Sequence, residues 1–323
     1  AIYEKAIAEG ADFIIGPLGR QAIDQLVSDK RFPVPTLLIG NPTNPASASP
    51  NVYQLGMAPE QDGMQLARRA YAAGHRRALI IFAASDWGRR VSTATSNDWA
   101  RLGGKIVAQT AVPVTSDHFT HAIRRLFHLD HSAARAAALK KVLTHRLPFK
   151  AIPRRRQDVD VIFLFCSRPQ AQVINPQIDF LYGHDLPVFS TSHLYHGTQD
   201  RLIDLDLDGI ILGDMPWILG SNGPRAFRAG GTNNPNTYRG TPLDRLFALG
   251  MDAYALSSRI TALRTIPEAR YAGFSGQLSS DGNGVVRRKL MWAQFQNAEL
   301  VAMPQPNASQ NEGDSYLNLG DDS

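Results

Sequence analysis

Short apolar runs and helical apolar stripes alternate along this chain. The plainest run is 161–165: Val161, Ile162, Phe163, Leu164 and Phe165 follow one another without a polar residue. Such a run leaves neither side of a strand suited to water, so it predicts a strand covered on both faces, as in a parallel sheet. Further strands are predicted at 12–15, 33–39, 52–55, 78–83, 106–112, 188–190 and 209–212. Between them apolar residues fall three and four apart, as Met64, Ala67 and Tyr71 do, which is the spacing of one helix face. These windows predict helices at 1–9, 21–28, 60–73, 86–102, 169–183 and 243–263. Gly10, Gly74 and Gly103 stand just past three of them, where a chain commonly leaves a helix. The segment 277–301 reads as a hairpin, with strands 285–290 and 292–295 after the turn at Asp281, Gly282, Asn283 and Gly284. Segments 41–45 and 220–242 are rich in Pro, Asn and Gly and read as loops.

Alternating strands and helices predict an α/β protein with doubly wound parallel sheets. A length of 323 residues suits two such sheets better than one. The expected division places 1–57 and 216–275 in a first lobe. It places 58–215 and 276–303 in a second lobe and hinge, with a basic insertion at 115–157. Residues 304–323 are polar and poor in apolar side chains, and read as a disordered tail. The chain opens at Ala1 inside a helical pattern, which reads as a fragment whose first lobe lacks its opening strand and helix.

Charge changes this picture at one place. From His121 to Gln157 there are ten Lys or Arg and one acid, Asp130, a net +9 where the whole chain carries +5. Charge concentrated in this way points to a partner surface. Lys140, Lys141, Arg154, Arg155 and Arg156 are the candidate contacts. The insertion has two aromatic residues, Phe127 and Phe149, and no nucleic-acid motif, so nucleic acid is not the expected partner. No run of about 18 apolar residues is present to span a membrane. One cysteine, Cys166, excludes an internal disulfide and reads as a buried small hydrophobe at a strand end.

No catalytic constellation emerges. Asp204, Asp206 and Asp208 with Gly209 resemble the start of a calcium loop, but its twelfth position is Met215 where a bidentate Glu is needed. An acidic turn before a strand is expected instead. His118 with His121, and His128 with His131, have helical i,i+3 spacing, yet no Cys or Glu completes a zinc set. There is no phosphate loop, dinucleotide fingerprint or nucleophile elbow. No metal or cofactor is expected. Gly16, Pro17 and Leu18 differ, because they end a predicted parallel strand before a helix, where open α/β lobes bind ligands. Trp87 takes the matching place after strand 78–83. With Asn41 and Trp217 these residues are the candidate cleft.

Several of these segments resemble the LppC/LpoA family, outer-membrane lipoprotein activators of class A penicillin-binding proteins. The likeness runs over about residues 1–303. It is carried by 10–18, by 154–160 with the apolar strand, and by 186–188 with Thr191 and Ser192. It continues through 208–210, Met215, Pro216 and Trp217, then 245–254, 273–278 and 287–290. The resemblance implies a type I periplasmic-binding-protein-like fold of two Rossmann-like lobes with multiple crossovers. It implies a non-catalytic regulator that docks on a peptidoglycan synthase in the periplasm, close to peptidoglycan, and stimulates it. The family also carries a lipidated cysteine and an N-terminal helical domain. Membrane attachment would come through that anchor, on the inner face of the outer membrane, and Cys166 is not the lipidated residue. The alternative expectation is a periplasmic receptor for a small polar solute such as an amino acid.

Overall fold

A computed structural model describes residues 2–28, 32–43, 49–114, 119–142, 152–220, 241 and 243–304. The chain divides into two compact units, one of Ala1–Ala58 with Asp214–Met291, the other of Pro59–Gly213 with Trp292–Met303. It therefore passes from unit to unit at 58/59, 213/214 and 291/292.

In the first unit α1 (Ile2–Ala8), β1 (Ile14–Leu18), α2 (Arg20–Ser28), β2 (Thr36–Ile39) and β3 (Val52–Leu55) open the chain. After the second unit come α9 (Leu243–Leu256), α10 (Ile260–Thr265), β9 (Tyr271–Ala272), β10 (Gln277–Ser280) and β11 (Val285–Lys289). The sheet order is β1-β2-β3-β11-β10-β9, with β1, β2, β3 and β11 parallel and the last two strands antiparallel. Neighbouring residues of a strand point to opposite faces. Leu37 accordingly packs with Leu249, Ala253 and Leu256 of α9, while Leu38 packs with Ile23 of α2.

The second unit holds α3 (Pro59–Ala72), β4 (Arg77–Ala83), α4 (Asp86–Arg101), β5 (Lys105–Val112), α5 (Thr120–Leu126) and α6 (Leu129–Val142). It continues with β6 (Val161–Phe165), α7 (Arg168–Ile178), β7 (Val188–Thr191), α8 (Arg201–Asp204), β8 (Ile211–Asp214), β12 (Met291–Gln296) and β13 (Glu299–Ala302). The sheet order is β13-β12-β8-β7-β6-β4-β5. β6 lies inside it, paired with β4 and β7, and all five of its residues are buried. Its Phe163 meets Trp99 of α4 edge-on at 5.3 Å. The expected α/β architecture of two parallel-rich sheets is thus present.

Four expectations change. β11 pairs with β10, and β12 pairs with β13 in the other sheet, so 285–290 and 292–295 do not form one hairpin. With β10 and β11 bound into the first sheet, 276–291 belongs to the first unit and not to the second. The helix expected over 243–263 breaks between α9 and α10, where the Ser257 hydroxyl donates back to the Tyr254 carbonyl at 2.7 Å and competes with helical bonding. The helix expected over 169–183 ends at Ile178 and continues as a π-turn, Asp179–Gly183, in which Tyr182 has φ +67°. The expected tail beyond 304 and most of the 220–242 loop lie outside the described residues.

Candidate functional site

In the first unit the C-terminal ends of three parallel strands lie level, because Leu18 pairs with Ile39 and Ile39 with Leu55. Gly16, Pro17 and Leu18 are part of β1 and not a turn after it, and Leu18 is 62% exposed. Asn41 follows β2 and lies against Gly56, where a Cβ would stand 2.8 Å from its Oδ1. The Gly56 carbonyl accepts from Arg288 Nε at 3.0 Å. Arg288 also donates to the Ser275 carbonyl at 3.3 Å. The adjoining Phe274 carbonyl accepts the backbone N–H of Trp217 at 3.1 Å. Trp217 packs on Phe247 and Phe274 and gives its indole N–H to Asp244 at 2.5 Å. Arg288 therefore links the strand ends to the surroundings of Trp217.

Beneath these residues lies a charge network absent from the candidate residues. Asp252 accepts the backbone N–H groups of Phe274 and Ser275, both at 2.7 Å, and the Ser275 hydroxyl. Asp214 accepts from Arg245 Nε at 3.1 Å and from the Met215 N–H at 2.7 Å. Burial pushes both carboxyls above the usual range, against the pull of Ser275 and Phe274 on Asp252 and of Arg245 on Asp214. Both are closed off from water, so they organise the unit and are not placed to act on a solute. Asp252 had one signal in the sequence, an acid among Ala248, Leu249 and Ala253 on a helix face that packs in the core.

In the second unit Trp87 follows β4 in the first turn of α4. The Ser85 hydroxyl caps that helix by accepting the Gly88 N–H at 3.1 Å. The Trp87 ring lies 4.4 Å from that of His193, which follows β7. The Trp87 indole N–H is buried and has no acceptor among the described residues. An indole beside an imidazole, at the ends of parallel strands, is suited to holding a small planar or polar group.

The basic insertion separates into different environments. Arg154, Lys140 and Lys141 are exposed. Arg155 is 7% exposed. It donates to the carbonyls of Tyr182 at 2.9 Å and Arg156 at 2.8 Å, and pairs with Asp185. Arg156 binds Asp158 through Nε at 2.7 Å, which lowers the Asp158 pKa to about 2. Arg155 and Arg156 are thus internal struts and not open contacts, because carbonyls and carboxylates of neighbouring segments surround them. The expected basic surface reduces to Lys140, Lys141 and Arg154 with exposed Arg125 and Arg135.

The remaining motifs resolve as structural. Asp204 is buried against Arg168, and the Asp208 carboxylate accepts the N–H groups of Asn297 at 2.9 Å and Ala298 at 2.8 Å. His128 and His131 do stack, at 4.9 Å, but His128 sits at φ +56° between α5 and α6, so the pair does not share one helix. His118 lies outside the described residues. Among the described residues no three His, Cys, Asp or Glu side chains are grouped to hold a metal. Burial holds Cys166 as the thiol.

The family model for "LppC putative lipoprotein" matches residues 1–298. The penicillin-binding protein activator LpoA of Edwardsiella piscicida is 28% identical over 93% of this chain and 44% of its own length. This chain thus spans less than half the length of that relative. The LpoA C-domain of Haemophilus influenzae, described as a regulator of PBP1A, shares the fold with a TM-score of 0.71 at 21% identity, covering 94% of this chain and 85% of that one. A putative branched-chain amino acid ABC transporter protein of Chromobacterium violaceum has a TM-score of 0.66 at 25% identity, covering 91% and 83%. The two units thus form a periplasmic-binding-protein-like fold, and with its family model matched from residue 1 to residue 298 the chain belongs to the LppC family.

Proposed function

We propose that this chain is the regulatory domain of a non-catalytic activator that binds a class A penicillin-binding protein in the periplasm and stimulates peptidoglycan synthesis. The observation that carries this reading is the family match over residues 1–298, within which curated relatives bear the name penicillin-binding protein activator. The chemistry of the chain agrees with it. The buried carboxylates of Asp204, Asp214 and Asp252 are committed to internal partners, whereas Arg125, Arg135, Lys140, Lys141 and Arg154 of the insertion are exposed. No helix among the described residues is long and apolar enough to cross a membrane. Attachment to the inner face of the outer membrane falls, in this reading, to a lipid anchor elsewhere in the parent protein. The test is direct binding of the lipid-free parent to the periplasmic part of the synthase from the same organism, at low and moderate salt. Binding that weakens with salt supports the reading, and no binding by a folded protein at either salt overturns it.

A second reading, a receptor for a small polar solute, draws on the Trp87–His193 ring contact and the unsatisfied indole N–H. Strong stabilisation by one amino acid in a thermal-shift screen would favour it.

A further inference from the structure

The π-turn that ends α7 presents Phe180 to solvent at 81% exposure. This exposure is not the slack of a loose loop. Arg155, buried in the foot of the insertion, holds the Tyr182 carbonyl at 2.9 Å and pairs with Asp185. Gly183 lets the turn close on the insertion, since a Cβ there would stand 2.9 Å from Phe127 Cε2 and 2.7 Å from Ile178 Cγ2. Phe127 itself is fully buried. The Thr120 hydroxyl at the start of α5 meets Gln177 at 3.0 Å. Buried groups of the insertion thus hold the turn that carries the exposed Phe180, with Tyr182 two residues on at 43% exposure.

The same insertion carries exposed cations whose side chains form no ion pair or hydrogen bond among the described residues, namely Arg125, Arg135, Lys140, Lys141 and Arg154. Its one described acid, Asp130, already pairs with Arg124. Alanines and charges run all round α6, so it lacks the apolar face with which a helix enters a lipid headgroup layer. An aromatic anchor with a cationic rim is the pattern of a protein-binding hot spot.

We propose that Phe180 is the anchor of the docking surface and the insertion's cations are its rim. Together they take an apolar pocket edged with carboxylates on the periplasmic part of the synthase. This rests on the activator reading. The test measures affinity of the full parent protein for that part of the synthase, at two salt concentrations, for three variants. Phe180→Ala is expected to weaken binding by about tenfold or more with an unchanged melting temperature, because the ring is already in water. Lys140→Glu with Lys141→Glu is expected to slow association and flatten its salt dependence. Tyr254→Ala, an aromatic of 74% exposure in the other unit, is expected to bind as the parent does. Parent binding that survives both the Phe180 and the lysine changes overturns the docking surface and leaves the activator reading standing. A parent that does not bind at all overturns the activator reading. Loss of binding to phosphatidylglycerol vesicles, with synthase binding intact, overturns the protein partner in favour of lipid.

Discussion

Gly88, in the first turn of α4, lies against Ala83 at the end of β4 so closely that a Cβ on it would stand 2.2 Å from the Ala83 carbonyl oxygen. The obstacle is backbone, which cannot rotate away. Gly88→Ala is therefore expected to push the start of α4 off the sheet and cost about 1–3 kcal/mol. Gly250→Ala is the contrast: it lies inside α9 with nothing within 4 Å of its Cβ position. There the added methyl is expected to stabilise by about 0.5–1 kcal/mol through helix propensity. Urea unfolding of the two variants checks both signs.

Cys166 directly follows β6 at 0% exposure, and burial raises its thiol pKa far beyond the usual range. The thiolate is the reactive form, so a native protein is expected to resist maleimide and disulfide reagents. Labelling should rise together with the global unfolding transition in urea. Rapid labelling of the folded protein would show that the end of β6 opens on its own.

His128 lies among Arg156, His131, Arg135 and Asp158, and burial first, then Arg156, lower its pKa from 6.5. Its folded-state pKa is below the unfolded one, so the unfolded chain protonates first as pH falls. Stability is present above pH 6.5 and falls as pH drops from there toward the lowered folded value. Asp158 acts in a separate window: its stabilisation is present above 3.8 and is lost as pH falls toward about 2. His128→Asn, which tolerates the positive φ at this junction, is expected to flatten the first window and only slightly narrow the second, where Arg156 is the main partner of Asp158 and His128 the least. Unfolding free energies from about pH 8 to about pH 2 decide it.

Local pattern made β6 readable in advance, because a run buried on both faces has to be apolar throughout. Strand pairing was not readable in the same way. The apolar alternation of β11 and β12 says that each has a covered face, but not that their partners are β10 and β13 in different sheets. The candidate site shows the same division. Trp87 does stand just past the end of β4, as an α/β repeat predicts, whereas Gly16, Pro17 and Leu18 lie within β1 and not in a turn after it. The Asp252–Ser275 and Arg288–Gly56 links join segments 23 and 232 residues apart, and no spacing rule reaches that far. Exposed Phe180 was missed because a helical stripe continued over 169–183 hides the turn that lifts the ring into water.

Three consecutive arginines look alike in a sequence and divide sharply in the structure. The Arg154 side chain is exposed, whereas Arg155 spans from its own segment to the Tyr182 carbonyl and Asp185. Arg154→Ala is expected to change stability by less than about 0.5 kcal/mol, as surface substitutions away from special features do. Arg155→Met keeps the apolar stem but removes the donors, leaving the Tyr182 and Arg156 carbonyls without their partner. Both bonds are part-buried, so leaving these acceptors unsatisfied costs at most about 1–3 kcal/mol each, and the half-exposed Asp185 adds little because water screens it. A loss of about 2–4 kcal/mol is expected, with Arg156→Met in between because its carboxylate partner Asp158 is itself partly in water. Equal melting temperatures for the Arg154 and Arg155 variants would mean that the insertion's foot does not hold the π-turn.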